Sequence, residues 1–576
     1  MRGLRHGLVK GVVAALIVSL GLASCVSKAP ERPGVLTVSK EQEASWLRNF
    51  NPFATAGVRW PTEAGIYEPM LIFNSITGRW TPWLATAYRW EDTKTLRFTL
   101  REDVRWSDGQ PLTVDDVVFT FELMKTHRAL DKHGVWAYLA SVEAIADGGR
   151  DIRFRFQRAY SPGLGPIAHH PIVAKHTWKD VADPINFKNE TPIGTGPFTE
   201  VLRFEHQVFE LGANPHYWQL GKPGFSVLRM PAYPSNDQAN LALANGEVDW
   251  AGNFVPAVER TFVARDPENN GYWFPLIGST VFLYLNTTKA PFDDVGVRKA
   301  ISMGINRDRV VEVAMYNYTR ASDATGLNER YDAWRDAQAV ETGRAWMAHD
   351  VAAANAILDE AGYARNEDGF RTFPESDEVW EFDIIIVSGW SDWVRAAQVI
   401  ARNLAPLGID VSVKVSDMAP WYDRLQKGDF DMAIAWSMDG PSPYAFYRWL
   451  MSADTVKPVG ELSLGNWHRY GSARAATLLR DFEATTSDVE QKRLATELQR
   501  VFANEAPAIP LFPNPSWGVF STKRIMGFPT KNNPYAALSP NHHPESLMVL
   551  TQIQARDDRL AENLPANKTK LPSENE

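Results

Sequence analysis

Residues 85–125 read ATAYRWEDTKTLRFTLREDVRWSDGQPLTVDDVVFTFELMK and contain one strand and one helix. Apolar and polar residues alternate over 95–101, and this period of two predicts a half-buried strand. A turn at 108–111 follows, and Thr113 stands three residues before Asp116, which is typical of a helix N-terminus. The stretch therefore predicts a strand, a tight turn and a capped helix, as in an α/β fold.

The composition indicates a large globular protein with an acidic balance. The chain has 576 residues, of which 44% are hydrophobic and 22% charged, and its formal net charge is −9. This length is sufficient for two or more lobes with cores of their own. A nucleic-acid-binding surface would be basic, so we expect no nucleic-acid partner. The 21 tryptophans need an explanation, because each presents a large, flat and partly polar face.

The N-terminus predicts export and a lipid anchor. A basic start precedes an apolar run at 11–22, which is too short for a comfortable membrane span. The run ends in LAS before Cys25, the only cysteine of the chain, and this resembles a bacterial lipobox. We expect residues 1–24 to be removed, Cys25 to hold the protein to a membrane through lipid, and 25–33 to form a tether. The predicted location is the periplasm or cell surface. An ordinary cleavage site beside a stray thiol is the alternative.

Signatures of common enzymes and metal sites are not found. Residues 389–393 (GWSDW) come nearest to a serine nucleophile motif but lack its second glycine, and HExxH does not occur. A glycosidase needs two carboxylates at a defined separation, and no pair stands out. His169, His170 and His176 lack metal-ligand spacing, so we expect solvated or capping side chains and no metal or cofactor.

Short sequence motifs that follow one another in a fixed order along the chain resemble those of a known protein family. Besides 85–125, they include GTGPF (194–198), ANGEVDW (244–250), DFDMAIAWS (429–437) and APAIPLFP (506–513). About ten such words between 34 and 552 resemble the family 5 extracellular solute-binding proteins. These are the oligopeptide, dipeptide, nickel and oligosaccharide receptors of ABC importers.

The resemblance implies a fold, a domain plan and a set of partners. We expect an α/β, two-lobe periplasmic-binding-protein-like fold of the cluster C type, with an extra subdomain in the first lobe. The expected boundaries are 34–285 plus 512–552 for the first lobe, about 70–195 for its inserted subdomain, 286–511 for the second lobe and 553–576 for a disordered tail. The receptor would be a monomer that binds a solute between its lobes, docks on an ABC permease and performs no chemistry.

Strand ends predict where the ligand binds. Residues 382–387, 394–407 and 409–415 have a strand–helix–strand pattern, which is a βαβ crossover. Open α/β sheets bind ligands at the carboxyl ends of their strands. Trp390 and Trp393 follow the first of these strands, so we expect both to face the cleft. Asn286 also ends a strand and is expected there.

The tryptophans favour a sugar ligand. Pyranose rings dock on aromatic faces, and their hydroxyls need amide or carboxylate partners. Short motifs that combine tryptophan with asparagine or aspartate resemble motifs of the cello-oligosaccharide and β-glucoside receptors of the family. The predicted ligand-binding residues are Trp250, Asn253, Asn286, Trp390, Asp392, Trp393, Trp436, Asp439, Trp467 and Asn514. Core packing is the alternative for each single tryptophan.

Two other functions stay open at this point. Peptide receptors of the family hold the amino terminus of their ligand with an aspartate shortly after a tryptophan, and Asp439 after Trp436 resembles that arrangement. An oligopeptide receptor is therefore the first alternative. A secreted glycosidase is a remote second one, which only the tryptophan content supports.

Overall fold

The computed structural model describes residues 34–40, 43–54, 60–146, 149–374 and 376–556. The predicted signal peptide, Cys25, the tether and residues 557–576 of the predicted tail lie outside these ranges.

The strands of the described residues are β1 Val35–Ser39, β2 Leu71–Asn74, β3 Arg79–Pro82, β4 Ala85–Asp92, β5 Thr95–Leu100, β6 Leu139–Ala144, β7 Asp151–Phe156, β8 Phe198–Glu205, β9 Val208–Ala213, β10 Val227–Pro231, β11 Trp250–Ala251, β12 Asn270–Tyr272, β13 Thr280–Leu285, β14 Glu381–Val387, β15 Asp410–Ser416, β16 Met432–Trp436, β17 Ile509–Pro513, β18 Val519–Ser521, β19 Ile525–Met526 and β20 Gln554–Ala555.

The α-helices of the same residues are α1 Trp60–Glu63, α2 Val114–Thr126, α3 Leu164–Ala168, α4 Lys175–Trp178, α5 Asn236–Ala244, α6 Val258–Thr261, α7 Val295–Gly304, α8 Arg307–Met315, α9 Ala337–Met347, α10 Val351–Glu360, α11 Ser391–Leu404, α12 Met418–Lys427, α13 Pro443–Met451, α14 Ala473–Ala484, α15 Asp488–Glu505 and α16 Ser546–Gln552. Short 3-10 helices occur at Arg128–Leu130, Val135–Ala137, Ser161–Gly163, Val263–Arg265, Glu329–Trp334, Ala405–Leu407 and Ala453–Thr455.

The opening stretch folds as its pattern predicts. Strand β5 pairs antiparallel with β4 and β7 in a four-stranded sheet of order β4-β5-β7-β6. Its apolar side chains are buried, as the period of two requires. Helix α2 then begins after Thr113, whose N–H donates to the Asp116 carboxylate at 2.9 Å. The predicted strand, turn and capped helix are confirmed.

A seven-stranded mixed sheet of order β12-β18-β11-β1-β10-β9-β8 forms the largest sheet of the described residues. Its central strand β1 pairs in parallel with both β10 and β11. Apolar side chains of this sheet and of the four-stranded sheet share one hydrophobic core.

A five-stranded sheet of order β15-β14-β16-β13-β17 has a separate core. Strands β14 and β15 are parallel, and α11 connects them, so the predicted βαβ crossover is confirmed. The predicted lobe boundaries stay a prediction. Strands β13 and β17 pair with each other inside this sheet, which therefore extends from Thr280 to Pro513 along the chain.

The predicted disordered tail starts too early. Ile553 is fully buried, and β20 pairs with β19 through 554–555. The Ala555 N–H also donates to the Gly224 carbonyl at 3.0 Å, so these backbone groups are held by the fold.

In the part of the chain that the structure describes, no helix is long and apolar enough to cross a membrane.

Candidate functional site

Two connected cavities form the candidate binding site. The large cleft has a volume of about 1590 Å³, and the small pocket beside it has about 290 Å³. Ser279 and Asn541 line both cavities. A ligand longer than the small pocket can therefore extend into the large cleft.

The small pocket collects most of the residues predicted to bind ligand. Its walls combine tryptophan rings with asparagine side chains and one carboxylate. The lining residues are Asn236, Gly252, Asn253, Phe254, Ser279, Trp390, Asp392, Trp393, Met418, Trp436, Asn514, Trp517 and Asn541.

Trp390 lies at the centre of the aromatic wall. The chain leaves β14 at its carboxyl end, and Trp390 is the residue from which α11 starts. Its ring centroid lies 5.0 Å from that of Trp393 and 5.9 Å from that of Trp436, both in edge-to-face contact. Trp390 and Trp436 are half-buried, so part of each ring is open to the pocket.

Asparagine side chains of the small pocket present oxygen atoms that accept no hydrogen bond from the described residues. The Asn253 amide nitrogen donates to Asn240 Oδ1 at 2.7 Å and to the Phe254 carbonyl at 3.2 Å. The Asn541 amide nitrogen donates to the Gly252 carbonyl at 2.9 Å. These acceptors fix both amide orientations, so the Oδ1 atoms of Asn253 and Asn541 point away from them. The Oδ1 atoms of Asn253, Asn541 and Asn514 are buried and have no hydrogen-bond partner among the described residues.

Asp392 places a carboxylate in the same pocket. Burial raises its pKa to about 6, while backbone N–H groups at the start of α11, the Arg395 charge and Asn236 oppose this rise. The Asn236 amide nitrogen lies 3.4 Å from Asp392 Oδ1. The carboxylate is therefore mostly ionised at neutral pH and can accept a hydrogen bond from a ligand.

Asp439 lies in the large cleft, away from the other predicted residues. Burial raises its pKa to about 7, and the charge of Arg330 and a hydrogen bond from Ser437 lower it. Ser437 Oγ is 3.3 Å from Asp439 Oδ1. A positive group on a ligand would thus meet Arg330 near this carboxylate.

Trp250, Asn286 and Trp467 are corrected to core positions. The Trp250 ring is 1% exposed, and its Nε1 donates to the Leu538 carbonyl at 2.6 Å. The Asn286 amide donates to the carbonyls of Gly428 and Phe430, which ties the end of β13 to the loop before β16. Trp467 is fully buried against other aromatic rings. None of the three lines either cavity.

Of the three histidines expected to be solvated or capping side chains, His170 is buried instead. His169 is half-buried and lines the large cleft, and its Nε2 accepts a hydrogen bond from the Phe73 N–H at 3.0 Å. Burial lowers the pKa of His169 to about 3, so this ring stays neutral. His176 is partly exposed and pairs with Asp108 at 2.8 Å. Within the described ranges no group of three or more His, Cys, Asp or Glu side chains could hold a metal ion.

Several lining residues were not predicted. Trp517 and Asn541 belong to segments between or after the strands, where no periodic pattern fixes an orientation. Trp517 packs edge-to-face on Phe254 at 5.4 Å, and this pair closes one wall of the small pocket. The tryptophan at the end of the word NPSW (514–517) was a usable signal for this position.

Comparisons with curated proteins give relatives along most of the chain. A protein of Escherichia coli named a probable D,D-dipeptide-binding periplasmic protein is 26% identical over 76% of this chain and 80% of its own length. The periplasmic oligopeptide-binding protein OppA of Escherichia coli is 21% identical over 87% of this chain and 93% of its own.

Solved structures share the fold. The periplasmic oligopeptide-binding protein of an oligopeptide ABC transporter from Thermotoga maritima, crystallised with mannohexaose bound, superimposes with a TM-score of 0.82. It is 28% identical, and the match covers 91% of this chain and 99% of that one. The predicted periplasmic-binding-protein fold is therefore confirmed.

The fold and its paired cavities define a solute-binding protein of the kind that serves ABC transporters. The sequence signature described as bacterial extracellular solute-binding proteins, family 5 Middle, matches residues 79–457. The chain belongs to this family, which consists of extracellular binding proteins and not enzymes. The glycosidase alternative is thereby set aside.

Proposed function

We propose that this chain captures an oligosaccharide of the cello-oligosaccharide or β-glucoside type and delivers it to a membrane permease. The observation that carries the proposal is the small pocket, where open tryptophan faces lie beside amide oxygens without partners. Each of these two features favours a sugar for a separate physical reason.

The aromatic wall suits a flat apolar surface. Trp390 and Trp436 are only half-buried although both pack against other rings, so part of each indole is open to the pocket that they line. A pyranose ring carries a patch of C–H groups that can dock on such a face and exclude water from it. Its hydroxyls lie around the ring edge, where polar side chains can meet them.

The asparagine oxygens require hydrogen-bond donors from the ligand. The amide nitrogens of Asn253 and Asn541 already donate hydrogen bonds within the protein, so only their Oδ1 atoms remain to bind a ligand, and these are acceptors. A buried acceptor that lacks a donor costs about 1–3 kcal/mol, and a sugar hydroxyl can supply one. A carboxylate or other group with only acceptors would leave these oxygens unsatisfied.

The comparison with the Thermotoga maritima protein supports the same ligand class. That protein holds mannohexaose, and its chain is 28% identical to this one over almost its whole length. A hexasaccharide extends beyond a single compact pocket. The large cleft beside the small pocket offers the space for such a chain.

An oligopeptide is the second candidate, because of Asp439. Its carboxylate lines the large cleft, and relatives such as OppA carry oligopeptide in their names. The charge of Arg330 acts directly on Asp439, however, so an incoming ammonium group would be repelled there. This makes Asp439 a weaker partner for a peptide amino terminus than for a sugar hydroxyl.

Capture would proceed by closure of two lobes with the predicted boundaries 34–285 plus 512–552 and 286–511. Ligand binding then favours the closed form in proportion to its extra affinity for that form. In this proposal Cys25 carries the lipid that keeps the monomeric receptor at the membrane. The closed receptor docks on the permease, and the solute is released unchanged.

Titration calorimetry on the wild-type chain and the Trp390→Ala variant tests this function. We expect cello-oligosaccharides to bind the wild type, and the variant to lose roughly 1–3 kcal/mol of binding free energy with the aromatic face. Trp273→Ala is the matched control, because Trp273 is also half-buried but lines neither cavity. Tight binding of di- to pentapeptides without any response to sugars would refute the proposal.

A further inference from the structure

A group of tyrosines in the large cleft stands apart from the small pocket. Tyr138 and Tyr160 stack with ring centroids 4.0 Å apart, and both line the cleft. Tyr444 of α13 meets Tyr160 edge-to-face, and their hydroxyl oxygens are 3.5 Å apart. Arg448 lies one turn further along α13 and lines the same cleft.

One tyrosine hydroxyl of this group has no partner. Tyr444 donates its hydroxyl proton to Glu483 Oε1 at 2.6 Å, so this hydroxyl is committed. The Tyr138 side chain is 8% exposed, and its hydroxyl is buried without a hydrogen bond to any described residue. Burial raises the pKa of Tyr138 well above its usual range, so the phenol keeps its proton and remains a donor.

The arginines near these rings differ in their pairing. The Arg158 guanidinium lies over the Tyr160 ring and forms an ion pair with Glu483 at 2.5 Å. Arg448 is exposed to the cleft and makes no ion pair or side-chain hydrogen bond with the described residues. Arg448 lines the same cleft as Tyr138 and Tyr160, and its charge lowers the pKa of both hydroxyls against the larger effect of burial.

No carboxylate of the described residues forms an ion pair with Arg448. Asp131 also acts on the Tyr138 hydroxyl, but its oxygens accept the backbone N–H groups of Val135 and Trp136 at 2.8 and 2.9 Å. The other nearby carboxylate, Glu483, is already shared by Arg158 and Tyr444. The result is a cation and a free phenol donor, with stacked aromatic rings beside them.

We propose that Arg448 and Tyr138 form a carboxylate-binding subsite of the large cleft, which takes an acidic unit of the ligand. A guanidinium binds a carboxylate through parallel N–H donors, and a phenol adds a third donor. The small pocket, with its unsatisfied acceptors, would hold a neutral unit rich in hydroxyls. This inference rests on the proposed oligosaccharide function, and it narrows the ligand to sugars that carry a uronate or aldonate group.

Calorimetry with matched ligands tests the subsite. A neutral cello-oligosaccharide is compared with the aldonate of equal length, whose reducing end is oxidised to a carboxylate. We expect the wild type to bind the aldonate about tenfold more tightly, since hydrogen bonds to a charged group contribute that much. Arg448→Gln should abolish this preference, and Tyr138→Phe should reduce it. The readout in each protein is the ratio of its affinities for the aldonate and for the neutral sugar.

Lys457→Gln is the matched control, because Lys457 is another cation of the cleft wall. The preference for the aldonate should persist in this variant. Equal binding of the two sugars by the wild type, or a preference that survives Arg448→Gln, would overturn the subsite. An equal loss in Lys457→Gln would do the same, because it would assign the effect to the diffuse charge of the cleft.

Failure of the proposed function would look different. If neither sugar binds, a peptide is compared with its C-terminal amide, which lacks the carboxylate. A preference for the free acid that disappears in Arg448→Gln would keep the carboxylate subsite while refuting the oligosaccharide function. Peptide binding that ignores the amide would overturn both.

Discussion

At the residue scale, Trp390 joins the core of the five-stranded sheet to the small pocket. One edge of its ring packs on Trp421 at 5.6 Å inside the core, and another part lines the pocket. Ligand affinity and local packing therefore depend on the same side chain. For this reason, a test at Trp390 needs a measurement of unfolding beside the measurement of binding.

Asp392 gives a prediction about stability and pH. Burial raises its pKa to about 6, so the folded state holds this proton more tightly than the unfolded state does. The stabilisation that results is fully present below the unfolded pKa of about 3.9 and is lost as pH rises through 6. We expect its contribution to fall by about 2 kcal/mol between pH 4 and pH 7.

Urea unfolding of the wild type and of Asp392→Asn at both pH values measures this contribution. The asparagine does not titrate, so the variant should gain stability relative to the wild type as the pH rises from 4 to 7. A difference between the two proteins that stays constant with pH would contradict the prediction.

At the element scale, the local sequence pattern predicted where strands and helices lie better than it predicted which side chains are buried. The alternation in 95–101 and the capping residue Thr113 specified β5 and α2, because both depend on near neighbours in the chain. The strand end at 387 likewise placed Trp390 at the site. Trp250 could not be placed in this way, because its indole is buried by Leu538, almost three hundred residues away.

Dependence on residues distant in sequence also explains why the positions of Asn286 and Asn541 could not be predicted. Both are asparagines near a strand end or in a loop, and the sequence offers no means of telling them apart. The amide of Asn286 satisfies two carbonyls of the loop before β16, whereas that of Asn541 leaves its oxygen in the small pocket. Only the fold brings their partners to them.

The turn before β8 gives a prediction at this scale. The Gly196 N–H donates to the Ile66 carbonyl, and a Cβ at Gly196 would overlap the Gly65 carbonyl oxygen. Gly196→Ala should therefore cost about 3–5 kcal/mol of unfolding free energy, because backbone on both sides must move. Chemical denaturation measures this loss.

Gly165→Ala is the control for this variant. A Cβ at Gly165 meets only Pro441 carbons at 3.9 Å, which is an ordinary contact. Its stability should stay within about 1 kcal/mol of the wild type, since alanine also favours the helix. Equal stability of the two variants would mean that the turn tolerates a side chain.

At the scale of the whole molecule, contacts across the large cleft tie its walls together. Arg158 and Tyr160 follow β7 of the four-stranded sheet, and they meet Glu483 of α14 and Tyr444 of α13. Gln491 of α15 adds a hydrogen bond to Ser161 Oγ at 3.0 Å. These contacts join segments of the chain that are far apart in sequence, at 158–161 and at 444–491.

Loss of the contact between Arg158 and Glu483 should weaken ligand binding, although neither side chain is proposed to contact the ligand. Glu483→Gln removes the charge that holds Arg158, and we expect a loss of about 1 kcal/mol, or roughly fivefold in affinity. Calorimetry gives the affinity, and small-angle scattering of the ligand-free protein should show a larger radius of gyration. Glu490→Gln, in an exposed pair with Arg493, is the control and should change neither value. An unchanged affinity in Glu483→Gln would show that the tie has no role in closure.

The chain passes between the seven-stranded and the five-stranded sheet at 273–279 and again at 514–518, within the described residues. Both passages line the small pocket, through Ser279 and Trp517. The strands that they lead to and from, β13 and β17, are hydrogen-bonded side by side, so the pair can flex but resists sliding. The small pocket is thus walled by both connections between the two sheets. We expect a substitution at Trp517 to change the packing of one of these connections as well as the lining of the pocket.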